Sequence, residues 1–259
     1  MGRQPRRISE NGLYHLMFRG INRQNIFDEV SDYSFFLDML GKIKSALGFD
    51  IYAYCLMTNH GHLLIKESCP GDLISIMQRL LTRYAHYYNK KYERCGTLFG
   101  QRYASEVVSS DRYLWTLVRY IHQNPVRAGF VDDVKGYRWS SYQDYCRENS
   151  YANSLVNREY LFRIIAGDWD TARSLFIKLH EEQIKDDFDP RDGSKSTNDE
   201  KVRRAIIKML DGNMPHTIGM MSRVERNRCL SRLRSEGYSI RQLERVTGVS
   251  RGIIARAAT

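Results

Sequence analysis

Two histidines one residue apart, His60 and His62, stand in the run Thr58-Asn59-His60-Gly61-His62-Leu63-Leu64-Ile65. The residues before them, 51–57, are β-rich and read as a strand, and Leu63-Leu64-Ile65 continues a second one. Side chains alternate faces along a strand, so residues two apart point the same way. His60 and His62 therefore project side by side, while Gly61 adds no bulk to the opposite face. Neutral imidazole is a common metal ligand, but a metal needs several donors converging on one point. The pair alone fits two ordinary histidines equally well. A site needs further groups from elsewhere in the chain.

A second segment, Arg119-Tyr120-Ile121-His122-Gln123-Asn124-Pro125-Val126-Arg127-Ala128-Gly129, carries such groups. On a helix Tyr120 and Asn124, four apart, share a face, whereas His122 lies about 200° around from Tyr120. A phenol can act as a covalent nucleophile. The chain has 17 tyrosines, so packing on an amphipathic helix is the default role for any one of them.

The elements that position these groups follow from periodicity. Residues 13–19 read as a strand. Phe36, Leu37, Leu40, Ile43 and Leu47 recur at three- and four-residue steps and predict a helix over 31–47, closed by Gly48. Strands at 50–57 and 60–66, a helix over 71–92, a strand over 102–108 and a helix from Asp111 come next. Ser110 or Asp111 caps that last helix, and Pro125 should end it at Asn124. The order strand, helix, strand, strand, helix, strand, helix predicts an α+β fold, an antiparallel sheet with helices packed against it. Beyond it, 158–166 and 171–183 read as helices. The polar stretch 186–199 reads as a linker, and 200–259 as all helical.

Composition bounds the rest. A chain of 259 residues can bury a sizeable core, and its 42% hydrophobic and 27% charged content is that of a globular protein. The net charge of +10 suggests a polyanionic partner. Its distribution is uneven: +6 over 1–167, −5 over 168–200 and +9 over 201–259. Five scattered cysteines form no Cys-x-x-Cys pair, and the odd count argues against a disulfide framework, so they read as reduced thiols. No run reaches the length of a membrane span and no apolar segment follows the N-terminal arginines. A cytoplasmic, nucleoid-associated protein with no membrane partner is the expectation.

Together "MTNHGHLLI", "GTLFGQRY", "RYIHQNPVRAGFV" and "WSSY", in that order from about Leu13 to Tyr145, resemble the single-tyrosine (Y1) HUH transposases related to IS200. The likeness is to the branch of REP-associated tyrosine transposases. It implies a ferredoxin-like or RNA-recognition-like sheet with both histidines on a central strand. It implies a single-strand DNA endonuclease and strand transferase that cleaves and rejoins DNA at palindromic hairpins through a 5′-phosphotyrosine. Tyr120 would be the nucleophile. His60 and His62 would hold a divalent ion, Mg²⁺ or Mn²⁺, with Asn124 as third ligand and His122 its competitor. Gln101, Arg102 and Arg119 are candidates for phosphate contact, and Tyr84, Tyr87, Tyr88 and Tyr92 for base stacking or plain helix packing. The catalytic domain would occupy 1–147 and a helical extension 148–185. Monomer and homodimer both stay open.

The segment 200–259 ends in what looks like a helix-turn-helix. Ser239 caps a first short helix, Thr247-Gly248-Val249 makes the turn, and Ser250 caps a recognition helix bearing Arg251 and Arg256. With Arg241 these are the candidate contacts to duplex DNA beside the hairpin. Two further readings use the same residues: a rolling-circle-type HUH nickase, and a non-catalytic DNA-binding regulator working through the helix-turn-helix. An RNA-binding protein built on the same type of sheet would show no metal dependence.

Overall fold

A computed structural model of the chain describes residues 8–147, 154–181, 196–210, 215, 217–249 and 251–257, with the side chains of 196–201, 220, 241 and 245 outside that set. The chain divides into two compact units. One comprises Met1–Ile21, Asn25–Arg127 and Val131–Asp186, the other Asn22–Gln24, Ala128–Phe130 and Asp187–Thr259.

The first unit runs β1 (Leu13–Arg19), α1 (Val30–Leu47), β2 (Asp50–Met57), β3 (His60–Lys66), α2 (Asp72–Lys91), β4 (Ala104–Val107), α3 (Asp111–Arg127), α4 (Tyr142–Cys146), α5 (Arg158–Ile165) and α6 (Trp169–Glu181). The four strands form one antiparallel sheet in the order β2-β3-β1-β4. This is the ferredoxin-like split βαβ arrangement that the resemblance implied, with β3 and β1 central. Alternation along the strands divides the sheet cleanly. Tyr14, Leu16 and Phe18 of β1 and Leu63 and Ile65 of β3 face α1 and α2, all at most 4% exposed. There Phe18 stacks on Phe36 at 5.2 Å and Phe36 meets Tyr84 edge-on at 5.1 Å. Gly61 lies under this layer: a Cβ there would come within 2.3 Å of the Phe18 ring tip.

The other face carries His60 and His62, and α3 packs against it through β2 and β3. The segment Trp139–Ser141 closes the outer edge of β2. The Leu56 N–H donates to the Trp139 carbonyl at 2.9 Å, and the Ser141 N–H donates to that of Tyr54 at 3.0 Å. An uncovered edge would be open to pairing with another chain, so this gives "WSSY" a structural role.

Two elements differ from expectation. Helix α3 does not stop at Asn124 but continues through Pro125 to Arg127. Proline removes one backbone donor, and the Asn124 side-chain amide donates to the Tyr120 carbonyl at 2.8 Å, adding a bond beside that break. Helix α7 (Ser196–Met209) begins inside the stretch 186–199 read as a linker, whose earlier residues lie outside those described.

In the second unit α7 is followed by α8 (Thr217–Met220), α9 (Arg223–Ser235), α10 (Ile240–Thr247) and α11 (Arg251–Ala257). Val202, Ile206, Leu230, Leu243, Val246 and Ile254 form its core. Ser239 caps α10 in a reciprocal box with Gln242, and Gly248, left-handed at φ 75°, turns the chain towards α11. Ser250, the expected cap of α11, lies outside the described residues. Among the described residues no helix is long and apolar enough to cross a membrane.

Candidate active site

Strand register places the histidine pair. His62 lies opposite Met17 of β1 and Cys55 of β2, and His60 lies opposite Arg19 and Met57. Both imidazoles stand on the face covered by α3, with their ring centroids 5.2 Å apart. His62 is 1% exposed and His60 half-buried. Each Nδ1 is engaged: that of His60 with Asn59 Oδ1 at 2.6 Å, that of His62 with His15 Nε2 at 3.0 Å. A metal would therefore be taken through Nε2 of each ring.

Helix α3 brings Tyr120 onto this pair. Ser110 starts the helix, its hydroxyl accepting from the Tyr113 N–H at 3.3 Å and its carbonyl from the Leu114 N–H at 2.9 Å. Leu114, Leu117, Val118 and Ile121 are buried and seat it. The Tyr120 ring stands edge-on to His62 at 5.6 Å and to His15 at 6.1 Å. The guanidinium of Arg127 lies over the same ring, 5.3 Å from its centroid. Asn124 sits one turn after Tyr120 and is half-buried. Its amide nitrogen is held by the Tyr120 carbonyl, so its amide oxygen is the atom that could ligate.

Among the described residues no three His, Cys, Asp or Glu side chains converge as a metal site. A divalent ion here would rest on two imidazoles plus donors of another kind, such as an amide oxygen or oxygens of the substrate. Imidazole with oxygen donors is compatible with Mn²⁺ and, where phosphate oxygens complete the shell, with Mg²⁺.

His122 does not join this group. It is fully buried on the opposite side of α3, with Nδ1 3.0 Å from His180 Nε2 and Nε2 2.7 Å from Ser141 Oγ. Burial, and secondarily His180, hold its protonation well below the usual imidazole range. Burial likewise pushes His180 down to about 4, and Arg119 adds to that effect. Arg119 thus lies towards His180, while Tyr120 faces the histidine pair. Gln101 and Arg102 are exposed and lead into β4, whose Ala104 pairs with Met17, so they enter at the end of the sheet where His60 stands.

The α2 tyrosines line the opposite layer. Tyr84 and Tyr88 are buried in the core, the former donating to the Ile26 carbonyl. Tyr87 and Tyr92 donate to the buried Asp32 carboxylate at 3.2 and 2.7 Å. Their hydroxyls here serve packing and hydrogen bonding. In the second unit Arg251 pairs with Glu244, and Arg256 donates to the Gly252 carbonyl at 2.9 Å; both are exposed. The Arg241 side chain lies outside the described residues.

Sequence reasoning missed His15, Glu106 and Arg127. His15 lies diagonally across from His62, two residues along from Met17, and Glu106 lies directly opposite His15. The available signal was a histidine inside an otherwise apolar strand, Leu13-Tyr14-His15-Leu16-Met17.

Comparisons with known proteins fall on the same residues. Residues 9–124 match the family model described as transposase IS200 like, a span that contains His60, His62, Tyr120 and Asn124. A Haemophilus influenzae protein described as a REP-associated tyrosine transposase is 27% identical over 127 residues, covering 42% of this chain and 72% of that protein. A solved structure described as a REP-associated tyrosine transposase bound to a REP hairpin superposes with a TM-score of 0.50. It covers 61% of this chain and 94% of its own, at 17% identity, a likeness of fold. The resemblance read from the motifs is borne out by the family match and the curated relative, the family match ending at Asn124, inside the third motif.

Proposed function

Starting from the similarity of residues 9–124 to IS200-like transposases, we propose that this chain is a single-strand DNA endonuclease and strand transferase with Tyr120 as its nucleophile. The observation that carries the proposal is the seating of Tyr120 against His62, with His60 alongside on the same strand. A non-catalytic regulator would have no need of a tyrosine presented on such a pair.

The Tyr120 oxygen attacks a phosphodiester phosphorus and loses its proton. The bond from phosphorus to the 3′-oxygen breaks, giving a 5′-phosphotyrosine and a free 3′-hydroxyl. In the second step a 3′-hydroxyl attacks the phosphotyrosine and Tyr120 is restored. Bond energy is stored covalently, so no external energy source is needed. His60, His62 and Asn124 would hold a divalent ion, which supplies charge neutralisation at the scissile phosphate and at the leaving 3′-oxygen. Arg127, over the Tyr120 ring, places a fixed positive charge beside the nucleophile. Burial of His62 and the packing of α3 hold Tyr120 and the histidine pair in fixed relation, which would favour the ordered positioning that phosphoryl transfer requires.

The substrate class is a single-stranded DNA hairpin, a reading supported by the likeness of fold to a REP-associated tyrosine transposase bound to a REP hairpin. Gln101 and Arg102, at the His60 end of the sheet, are the proposed phosphate contacts of the first unit, and Arg119, towards His180, would serve only a phosphate reaching that side of α3. Arg241, Arg251 and Arg256 would meet adjacent duplex DNA through the capped α10–α11 pair, the catalytic domain being 1–147 and the helix-turn-helix domain 200–259. The deciding experiment is covalent capture. Labelled oligonucleotides from both strands flanking the gene are incubated with Mn²⁺ or EDTA and resolved on a denaturing gel beside His60→Ala and Tyr120→Phe. A metal-dependent protein–DNA band lost in both variants is expected. A band surviving in Tyr120→Phe would overturn the nucleophile.

A further inference from the structure

Behind His62 runs a chain of polar side chains that the reaction does not itself touch. His15 Nε2 lies 3.0 Å from His62 Nδ1, and the two rings meet edge to edge, centroids 5.2 Å apart and planes 11° from parallel. On the far side of His15, Glu106 Oε2 lies 3.7 Å from His15 Nδ1. The other carboxylate oxygen accepts from the Tyr113 hydroxyl at 2.6 Å, which fixes the carboxylate in place. The group spans β4, β1 and β3 and is anchored by α3. His15 is 6% and His62 1% exposed, so water does not readily replace these contacts.

A hydrogen bond between two neutral imidazoles holds one proton, and its owner decides what His62 can do. If His15 Nε2 carried it, His62 Nδ1 would accept and His62 Nε2 would bear the other hydrogen, closing that nitrogen to a metal. If His62 Nδ1 carries it, His62 Nε2 presents a lone pair. A carboxylate beside His15 Nδ1 favours a hydrogen on that nitrogen, leaving His15 Nε2 as the acceptor. We propose that Glu106, acting through His15, fixes His62 as the Nδ1–H tautomer and so leaves the lone pair on its Nε2. Glu106 and His15 are thus positioning residues, and the inference rests on reading His62 as a ligand only for what that lone pair is used for. Outer-shell carboxylate–histidine pairs of this type orient metal ligands generally, and losing them weakens metal binding about 10–100-fold.

The test uses the metal-free full-length chain. Long-range ¹H–¹⁵N spectra of the imidazoles, with His62 assigned by comparison with His62→Ala, report its tautomer directly. The wild type is expected to show His62 protonated at Nδ1. Glu106→Gln, which keeps the shape but not the charge, is expected to shift His62 to Nε2–H or a mixture, and to weaken Mn²⁺ binding in titration calorimetry about 10–100-fold. Tyr113→Phe should produce a smaller change in the same direction. His62 found as Nε2–H in the wild type overturns the proposal whether or not any variant folds. So does a Glu106→Gln protein whose His62 tautomer and Mn²⁺ affinity are both unchanged. The expected tautomers with no Mn²⁺ binding in any form would support the relay while failing the metal reading.

Discussion

The Tyr120 ring meets His62 edge-on, centroids 5.6 Å apart and planes at 88°. Helix α3 and strand β3, far apart in sequence, are thereby fixed to each other at the point where nucleophile and ligand would have to cooperate. Tyr120→Phe removes the hydroxyl and leaves that ring contact. Its cleavage activity should fall at least about a thousandfold, while loss of the buried hydroxyl costs no more than about 1.5 kcal/mol in stability. His62→Ala should lose activity and also stability, because it opens a cavity beside His15 and Tyr120. Activity assays and thermal melts side by side separate the two effects.

Gly61 separates the two histidines for a steric reason. Its missing Cβ is where the Phe18 ring lies, 2.3 Å from the built position, and Phe18 is clamped by Phe36 and Phe99. Gly61→Ala forces that ring or β3 to shift and should cost about 1–3 kcal/mol. Pairing it with Phe18→Leu should recover part of the loss. Chemical denaturation of the single and double variants checks this, and additive losses would count against the steric account.

How much of this was legible in the sequence depended on whether local rules sufficed. Alternation put His60 and His62 on one face, and helical spacing put Tyr120 and Asn124 on one side and His122 on another. Gly48 closed α1 at the expected residue, in the left-handed conformation at φ 73°. The order β2-β3-β1-β4 is a long-range property, so the diagonal approach of His15 to His62, and of Glu106 to His15, had no local signature. Pro125 misled for the opposite reason: the rule for the residue before proline is local, and α3 continues through it to Arg127 within a packed layer. The α2 tyrosines were ambiguous until the buried Asp32 carboxylate, paired with Lys91 at 2.6 Å, showed where two of their hydroxyls go.

The buried pair His122–His180 makes the first unit acid-sensitive. Burial lowers the proton affinity of both, His180 to about 4. When the chain unfolds both regain ordinary imidazole affinity, so the unfolded state binds more protons below about pH 6.5. The stabilisation is therefore complete above that pH and is lost as pH falls towards about 4, by a few kcal/mol in order of magnitude. Equilibrium unfolding of the full chain at stepped pH should show this slope. His180→Gln should flatten it, whereas His86→Gln, an exposed change, should not.

The second unit offers a prediction independent of cleavage. Arg251 and Arg256 lie on α11 just after the Gly248 turn, and Arg251 is held by Glu244. A phosphate contact by Arg251 has to compete with that ion pair, which at an exposed site is worth at most about 1 kcal/mol. Each arginine that neutralises a phosphate contributes roughly one unit to the slope of log affinity against log salt. Arg251→Ala and Arg256→Ala should each weaken duplex binding and reduce that slope by about one. Glu244→Gln, by releasing Arg251, should strengthen binding at low salt. None of the three should alter covalent capture of single-stranded oligonucleotides, since Tyr120 and the histidine pair lie in the first unit. Gel shifts over a salt series measure the slopes, and unchanged slopes in both arginine variants would remove α11 from the DNA interface.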